Sequence, residues 1–119
     1  MCVLLVEDEP LIRQILAEEL REAGFKVCEL ATAEAAADLL ATRPRPALLL
    51  TDIHTPGRLD GLELGRQVRS FFPDLPVVYM TGRPDIVGSL RDNEVLVRKP
   101  FTPPEILHTI RQLLAPPPG

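Results

Sequence analysis

Apolar residues fall along this chain in two alternating rhythms. Short, largely apolar runs occupy residues 2–6, 26–30, 47–51, 76–80 and 94–98, and each reads as a strand, that at 2–6 as buried and that at 47–51 as buried on both faces. Between them, apolar positions recur at helical spacing. Pro10 suits a first helical turn, where its missing N–H costs nothing, and Leu11, Ile12, Ile15, Leu16, Leu20 and Ala23 follow before Gly24 stops the helix. Thr32 can cap a second helix to about Ala41, with Ala36, Ala37, Leu39 and Leu40 inward. Asp60 can cap a third, whose apolar face is Leu64, Val68 and Phe71 or Phe72, and Pro73 ends it. Residues 84–91 allow a short fourth helix interrupted by glycine. Thr102-Pro-Pro-Glu105 is a capping box opening a last helix, with Ile106, Leu107, Ile110, Leu113 and Leu114 inward.

Five βα units in succession imply a parallel sheet with right-handed crossovers and helices on both faces. The residues that end the strands then share one edge. They are Glu7-Asp8 after the first strand, Asp52 after the third, Thr81 after the fourth and Lys99 after the fifth. Ligands of open α/β sheets sit at this carboxyl edge. Singly, each residue has a plain reading: Asp52 as a loop residue, Glu7-Asp8 as partners of a helix dipole, Thr81-Gly82 as turn chemistry and Lys99 as a solvated charge. Together they are a different matter. Three close carboxylates repel and call for a cation; Mg²⁺ takes carboxylates, carbonyls and water. A carboxylate nucleophile, a metal, an ammonium and a hydroxyl are what phosphoryl transfer requires.

Composition narrows the setting. At 119 residues and 45% hydrophobic, the chain suits one domain able to bury a core without staples. The net charge of −4 comes without a basic cluster, so direct contact with nucleic acid is not expected. No apolar stretch is long enough for a membrane span. The first strand begins at Cys2, leaving no room for a secretory signal, so the cytoplasm is the expected compartment and Cys2 and Cys28 are expected as reduced, buried thiols. Eleven of the thirteen basic residues are arginine, which makes Lys99, between Arg98 and Pro100, conspicuous.

Over residues 2–115 these motifs resemble the receiver domain of two-component response regulators. Glu7-Asp8 matches the family's acidic pair, Asp52 its phosphoacceptor, Thr81 its switch hydroxyl and Lys99-Pro100-Phe101 its Lys-Pro-Phe signature; the Pro56–Leu64 segment resembles its third loop and helix. The resemblance implies a flavodoxin-like (βα)5 doubly wound sheet in the order 2-1-3-4-5, with the domain over residues 1–115 and a proline-rich tail or linker stub at 116–119. It implies Mg²⁺ held by Asp8, Asp52 and the backbone carbonyl of His54, with Glu7 reaching it through water. It implies a signalling switch, not an enzyme beyond its own phosphorylation and dephosphorylation, that takes a phosphoryl group onto Asp52 from a histidine kinase or phosphotransfer protein. A cis bond before Pro100 is also implied.

Three departures stand out. The aromatic switch position holds Leu96, the Thr81–Lys99 stretch is shortened, and the 56–60 loop is one residue longer than in the chemotaxis regulator. The first two fall on the face through which many receivers pair, which implies a monomer or weak dimer. His54 and Arg83 fall where family members tune water access. His54 is read as a rim side chain lending its carbonyl rather than as a metal ligand or general base, and His108 as a surface or packing residue. Two rivals stand beside the switch: a degenerate receiver binding partners without phosphate, and an aspartyl-phosphate hydrolase, for which His54 stands where an acid is needed.

Overall fold

In a computed structural model, which describes residues 2–42 and 45–114, five strands form one parallel sheet in the order β2-β1-β3-β4-β5. The strands are β1 (Val3–Val6), β2 (Val27–Leu30), β3 (Leu48–Asp52), β4 (Val77–Thr81) and β5 (Glu94–Arg98). The helices are α1 (Pro10–Glu22), α2 (Ala33–Thr42), α3 (Gly61–Phe71) and α4 (Pro103–Leu114). The tail at 116–119 lies outside the described residues.

Alternation along the strands divides the core in two. Val3, Leu5, Leu48, Leu50, Val78 and Met80 face one side, where α1 covers them with Leu16, Ala17 and Leu20 and α4 with Ile106 and Ile110. Leu4, Val6, Leu49, Val77 and Tyr79 face the other, against Ala33 and Ala36 of α2 and Leu64 and Val68 of α3. The sheet is therefore wound on both faces, and β3 at its centre is fully buried.

The caps are local and specific. Thr32 Oγ1 accepts the Ala35 N–H at 3.1 Å. Asp60 accepts the Glu63 N–H at 2.8 Å while the Glu63 carboxylate accepts the Asp60 N–H at 3.2 Å, which closes a capping box on α3.

Three expectations need correction. Residues 84–91 form no α-helix: a single 3₁₀ turn covers Pro84–Ile86, because Gly88 interrupts a stretch already too short to propagate one. Leu11 and Ile15 lie outside the buried stripe of α1, at 68% and 42% exposure. Of the two phenylalanines left open for α3, Phe72 packs against the core as expected and Phe71 is exposed. Cys2 and Cys28 are half-buried rather than buried, their sulfurs 3.2 Å apart across the β1–β2 edge.

One close approach fixes α3 on the sheet. A Cβ at Gly65 would sit 1.9 Å from the Tyr79 hydroxyl and 2.8 Å from its Cζ. Gly65→Ala is therefore expected to destabilise the fold by about 1–3 kcal/mol in urea denaturation. Tyr79→Phe, which removes the closest atom, should recover part of that loss in the double variant; a purely additive cycle would sink this account of the contact.

Candidate functional site

The carboxyl edge gathers side chains from four strands. Glu7 follows β1, Asp52 ends β3, Thr81 ends β4, and Lys99 follows β5. Glu7 is only 1% exposed, and Asp52 and Thr81 are buried. Asp8 is exposed. Carboxylate oxygens of Glu7, Asp8 and Asp52 lie within 4.8 Å of one another.

Lys99 is the cation among them. Its Nζ donates to Asp52 Oδ2 at 2.8 Å and stands 3.6 Å from Glu7 Oε1. The register carries it there, since β5 pairs with β4 through Thr81↔Arg98 and the Lys99 N–H donates to the Thr81 carbonyl at 2.8 Å. Burial by itself would lower the Lys99 pKa, but the hydrogen bond and charge of Asp52, with Glu7 behind them, outweigh it and raise it above its ordinary value.

Glu7 is held from two sides yet left short of partners. Its Oε2 accepts the Glu9 N–H at 3.3 Å, and Arg13 clamps its backbone carbonyl at 2.7 Å. Its Oε1 is buried without a hydrogen bond among the described residues. Burial first, then the Asp52 charge, pushes the carboxyl up to about 7, against the pull of Lys99. An orphaned, buried carboxylate oxygen beside two further carboxylates is a donor set suited to a hard divalent cation.

The remaining positions sort by what their atoms touch. The His54 N–H donates to Asp52 Oδ1 at 3.1 Å, and the residue is exposed. Thr81 Oγ1 accepts the Arg83 N–H at 2.9 Å, and the exposed Arg83 guanidinium stands 3.6 Å from Asp85. Neither side chain is brought onto the acidic cluster. Leu96 is half-buried, pairs with Tyr79 in the β4–β5 register and packs on the α2–α3 face of the sheet. The Lys99–Pro100 peptide is cis. His108 is exposed on α4.

Two supports were not read from the sequence. Glu34 of α2 accepts the Leu59 N–H at 3.0 Å and so steadies the loop between Asp52 and α3. Gly61 opens α3 against β3: its N–H donates to the Ile53 carbonyl at 2.9 Å, and a Cβ there would meet the Asp52 carbonyl at 2.1 Å. Neither the reach from α2 nor the tightness at Gly61 has a local sequence signal.

Comparison with known proteins agrees with this geometry. A family model described as the response regulator receiver domain matches residues 3–111. Response regulator MprA of Mycobacterium leprae is 37% identical over 118 residues, covering 96% of this chain and 51% of that protein. The C4-dicarboxylate transport transcriptional regulatory protein DctD of Pseudomonas aeruginosa is 36% identical over 116 residues, covering 94% of this chain and 25% of that protein. The chain thus spans about a quarter to a half of the length of these relatives. Among solved structures, a response regulator receiver protein from Sinorhizobium medicae superposes with a TM-score of 0.83 at 25% identity, over 96% of this chain and 94% of that one. NtrX from Brucella abortus gives 0.83 at 30% identity, over 96% of this chain and 27% of that one.

Proposed function

The chain belongs to the receiver-domain family of two-component response regulators, and from that premise we propose that it is a switch phosphorylated on Asp52. One observation carries the reading: a buried aspartate at the end of the central strand, held 2.8 Å from Lys99 beside a second buried carboxylate, one oxygen of which makes no hydrogen bond among the described residues. Nothing in core packing asks for that arrangement, whereas acceptance of a phosphoryl group does.

The step is an in-line displacement. An Asp52 carboxylate oxygen attacks phosphorus, the N–P bond of a phosphohistidine on a kinase or phosphotransfer protein breaks, and the departing imidazole nitrogen is protonated. Lys99 offsets the negative charge that arrives and orients one Asp52 oxygen through its hydrogen bond, leaving Oδ1 to the His54 N–H. Asp8, Asp52 and Glu7, with the His54 carbonyl, are the groups that would hold Mg²⁺, which supplies further charge compensation when bound. Thr81 then turns its hydroxyl from the Arg83 N–H toward the phosphoryl oxygens, and Leu96 repacks beside Tyr79. Arg83 and His54 set the rim through which water reaches the acyl phosphate.

The domain so assigned covers residues 1–115, works in the cytoplasm as a monomer or weak dimer, and passes its signal to partners rather than to nucleic acid directly. Exposed Ile15, with Ile12 and Leu16, lines an apolar hollow of α1 against Lys99, Pro100 and Phe101, a surface suited to a kinase or phosphotransfer helix.

Incubation with Mg²⁺ and acetyl phosphate, read by intact and peptide mass spectrometry, tests this. One base-labile phosphoryl group on Asp52, absent from Asp52→Asn, is the expected result. No adduct would leave the phosphate-independent module in its place, and turnover of many phosphoesters the hydrolase.

A further inference from the structure

The connection between β4 and β5 leaves a cavity where the other crossovers place a helix. It holds about 490 Å³ and lies between α3, Tyr79, Glu94 and the segment after the 3₁₀ turn. It shares no lining residue with the acidic cluster. That volume is in the range of small-molecule sites.

Its lining is cationic in a chain of net charge −4. Arg66 and Arg69, three residues apart on one face of α3, are joined by Arg91 from the connection, and Ser70 and Ser89 also line the cavity. The single acid, Glu94, is already engaged: its Oε2 accepts the Tyr79 hydroxyl at 3.1 Å and its Oε1 the Arg91 N–H at 2.9 Å. Three guanidiniums and one carboxylate leave a surplus of two positive charges.

Arg69 sharpens the point. It is only 9% exposed, yet among the described residues it joins no ion pair. Its Nη1 donates to two neutral oxygens, the Leu75 carbonyl and Asn93 Oδ1. Its Nε is buried with no hydrogen-bond partner. A buried charge with no counter-ion is costly, and a guanidinium fork matches oxyanions in two-point geometry. Tethering α3 to the Leu75 and Asn93 loops uses Nη1 alone; it accounts for neither the spare donor nor the two further arginines.

We propose that this cavity binds a small organic phosphate monoester, its dianionic group held by Arg66, Arg69 and Arg91 and its organic part against the Tyr79 side of the sheet. A monoester places two charges on one group, matching the surplus, and the cavity is larger than bare phosphate needs. Ligand binding there would bear on the β4–β5 connection that follows Thr81.

Titration of the ¹⁵N-labelled full chain, without Mg²⁺, decides the matter. AMP is the probe, with inorganic phosphate and adenosine as separate arms and succinate as a dicarboxylate. Expected are saturable amide shifts over residues 66–70 and 87–94 with AMP, weaker shifts at the same residues with phosphate, and none with adenosine. Arg66→Ala and Arg91→Ala, both exposed and clear of the fold's core, should each weaken AMP binding about tenfold or more. Asp52→Asn should leave it unchanged. Shifts confined to residues 7–8, 52, 81 and 99, no saturation by about 10 mM AMP, AMP no tighter than succinate, or indifference to both arginine variants would each overturn the proposal.

Discussion

Lys99→Met is expected to cost the metal-free protein about 3 kcal/mol near pH 8, and clearly less near pH 5. Removing one partner of a buried ion pair leaves an uncompensated charge, and Lys99 serves two carboxylates, Asp52 at 2.8 Å and Glu7 at 3.6 Å. The lower end of the usual range applies because the ammonium is partly open to solvent. The sign of the pH dependence follows from the carboxylates. The Lys99 pKa is raised, so its stabilising charge is fully present below its ordinary value of 10.5 and is lost only above that. Between pH 5 and 8 the lysine therefore stays charged, and what changes is Glu7, whose carboxyl stands at about 7. At pH 5 Glu7 is protonated in both proteins and the variant confronts one bare carboxylate; at pH 8 the variant, without the pull of Lys99, must either ionise Glu7 uncompensated or keep it protonated, and both cost stability. Urea denaturation at both values measures the difference. An equal loss at the two pH values would mean that Lys99 acts through packing of its stem, not through charge.

The parts of this protein written in its sequence are those set by local pattern. Each of the five runs became a strand within a residue or so of its expected limits: β1, β3 and β4 as runs buried on both faces, β2 and β5 as half-buried edges of the same sheet. The meeting of Glu7, Asp8, Asp52, Thr81 and Lys99 followed from topology alone: parallel strands bring their carboxyl ends to one edge whatever lies between. Thr32 and Asp60 announced their helices because capping is a contact over three residues.

What stayed hidden depends on partners distant in sequence. Tyr79 reads as one more apolar residue of β4, yet its hydroxyl bonds Glu94 and fills the notch left by Gly65. That pairing exists only once the β4–β5 register has been set. Arg69 sits in a helix whose polar positions look solvated, and its burial arises from Leu75 and Asn93 closing over it. The periodicity of α1 marks Leu11 and Ile15 as inward, but the fold leaves both of them open to solvent. Helical spacing describes an apolar stripe; it does not say how much neighbouring surface exists to bury it.

The acidic edge is held at a cost to the fold, and Glu7→Gln is expected to release it. The carboxyl of Glu7 stands at about 7 instead of its ordinary 4.5, raised by burial and then by Asp52. A group raised on folding contributes stability that is fully present below the ordinary value and lost as the pH climbs through the raised one. Metal-free wild-type protein should thus weaken between pH 4.5 and 7 and stay weak above. Glutamine keeps the shape and an acceptor for the Glu9 N–H without the charge. It should leave stability near pH 4.5 unchanged and raise it by about 2 kcal/mol above neutrality, against an upper bound of about 3. Mg²⁺ should reverse the order. A cation held by the native site at a hundred times its Kd stabilises by about 2.7 kcal/mol, and the variant has given up one of the groups proposed to hold it. Denaturation curves across pH, with and without Mg²⁺, separate the two effects. A gain that ignores pH would mean the buried oxygen was never under strain, and equal rescue of both proteins by Mg²⁺ would remove Glu7 from the cation's neighbourhood.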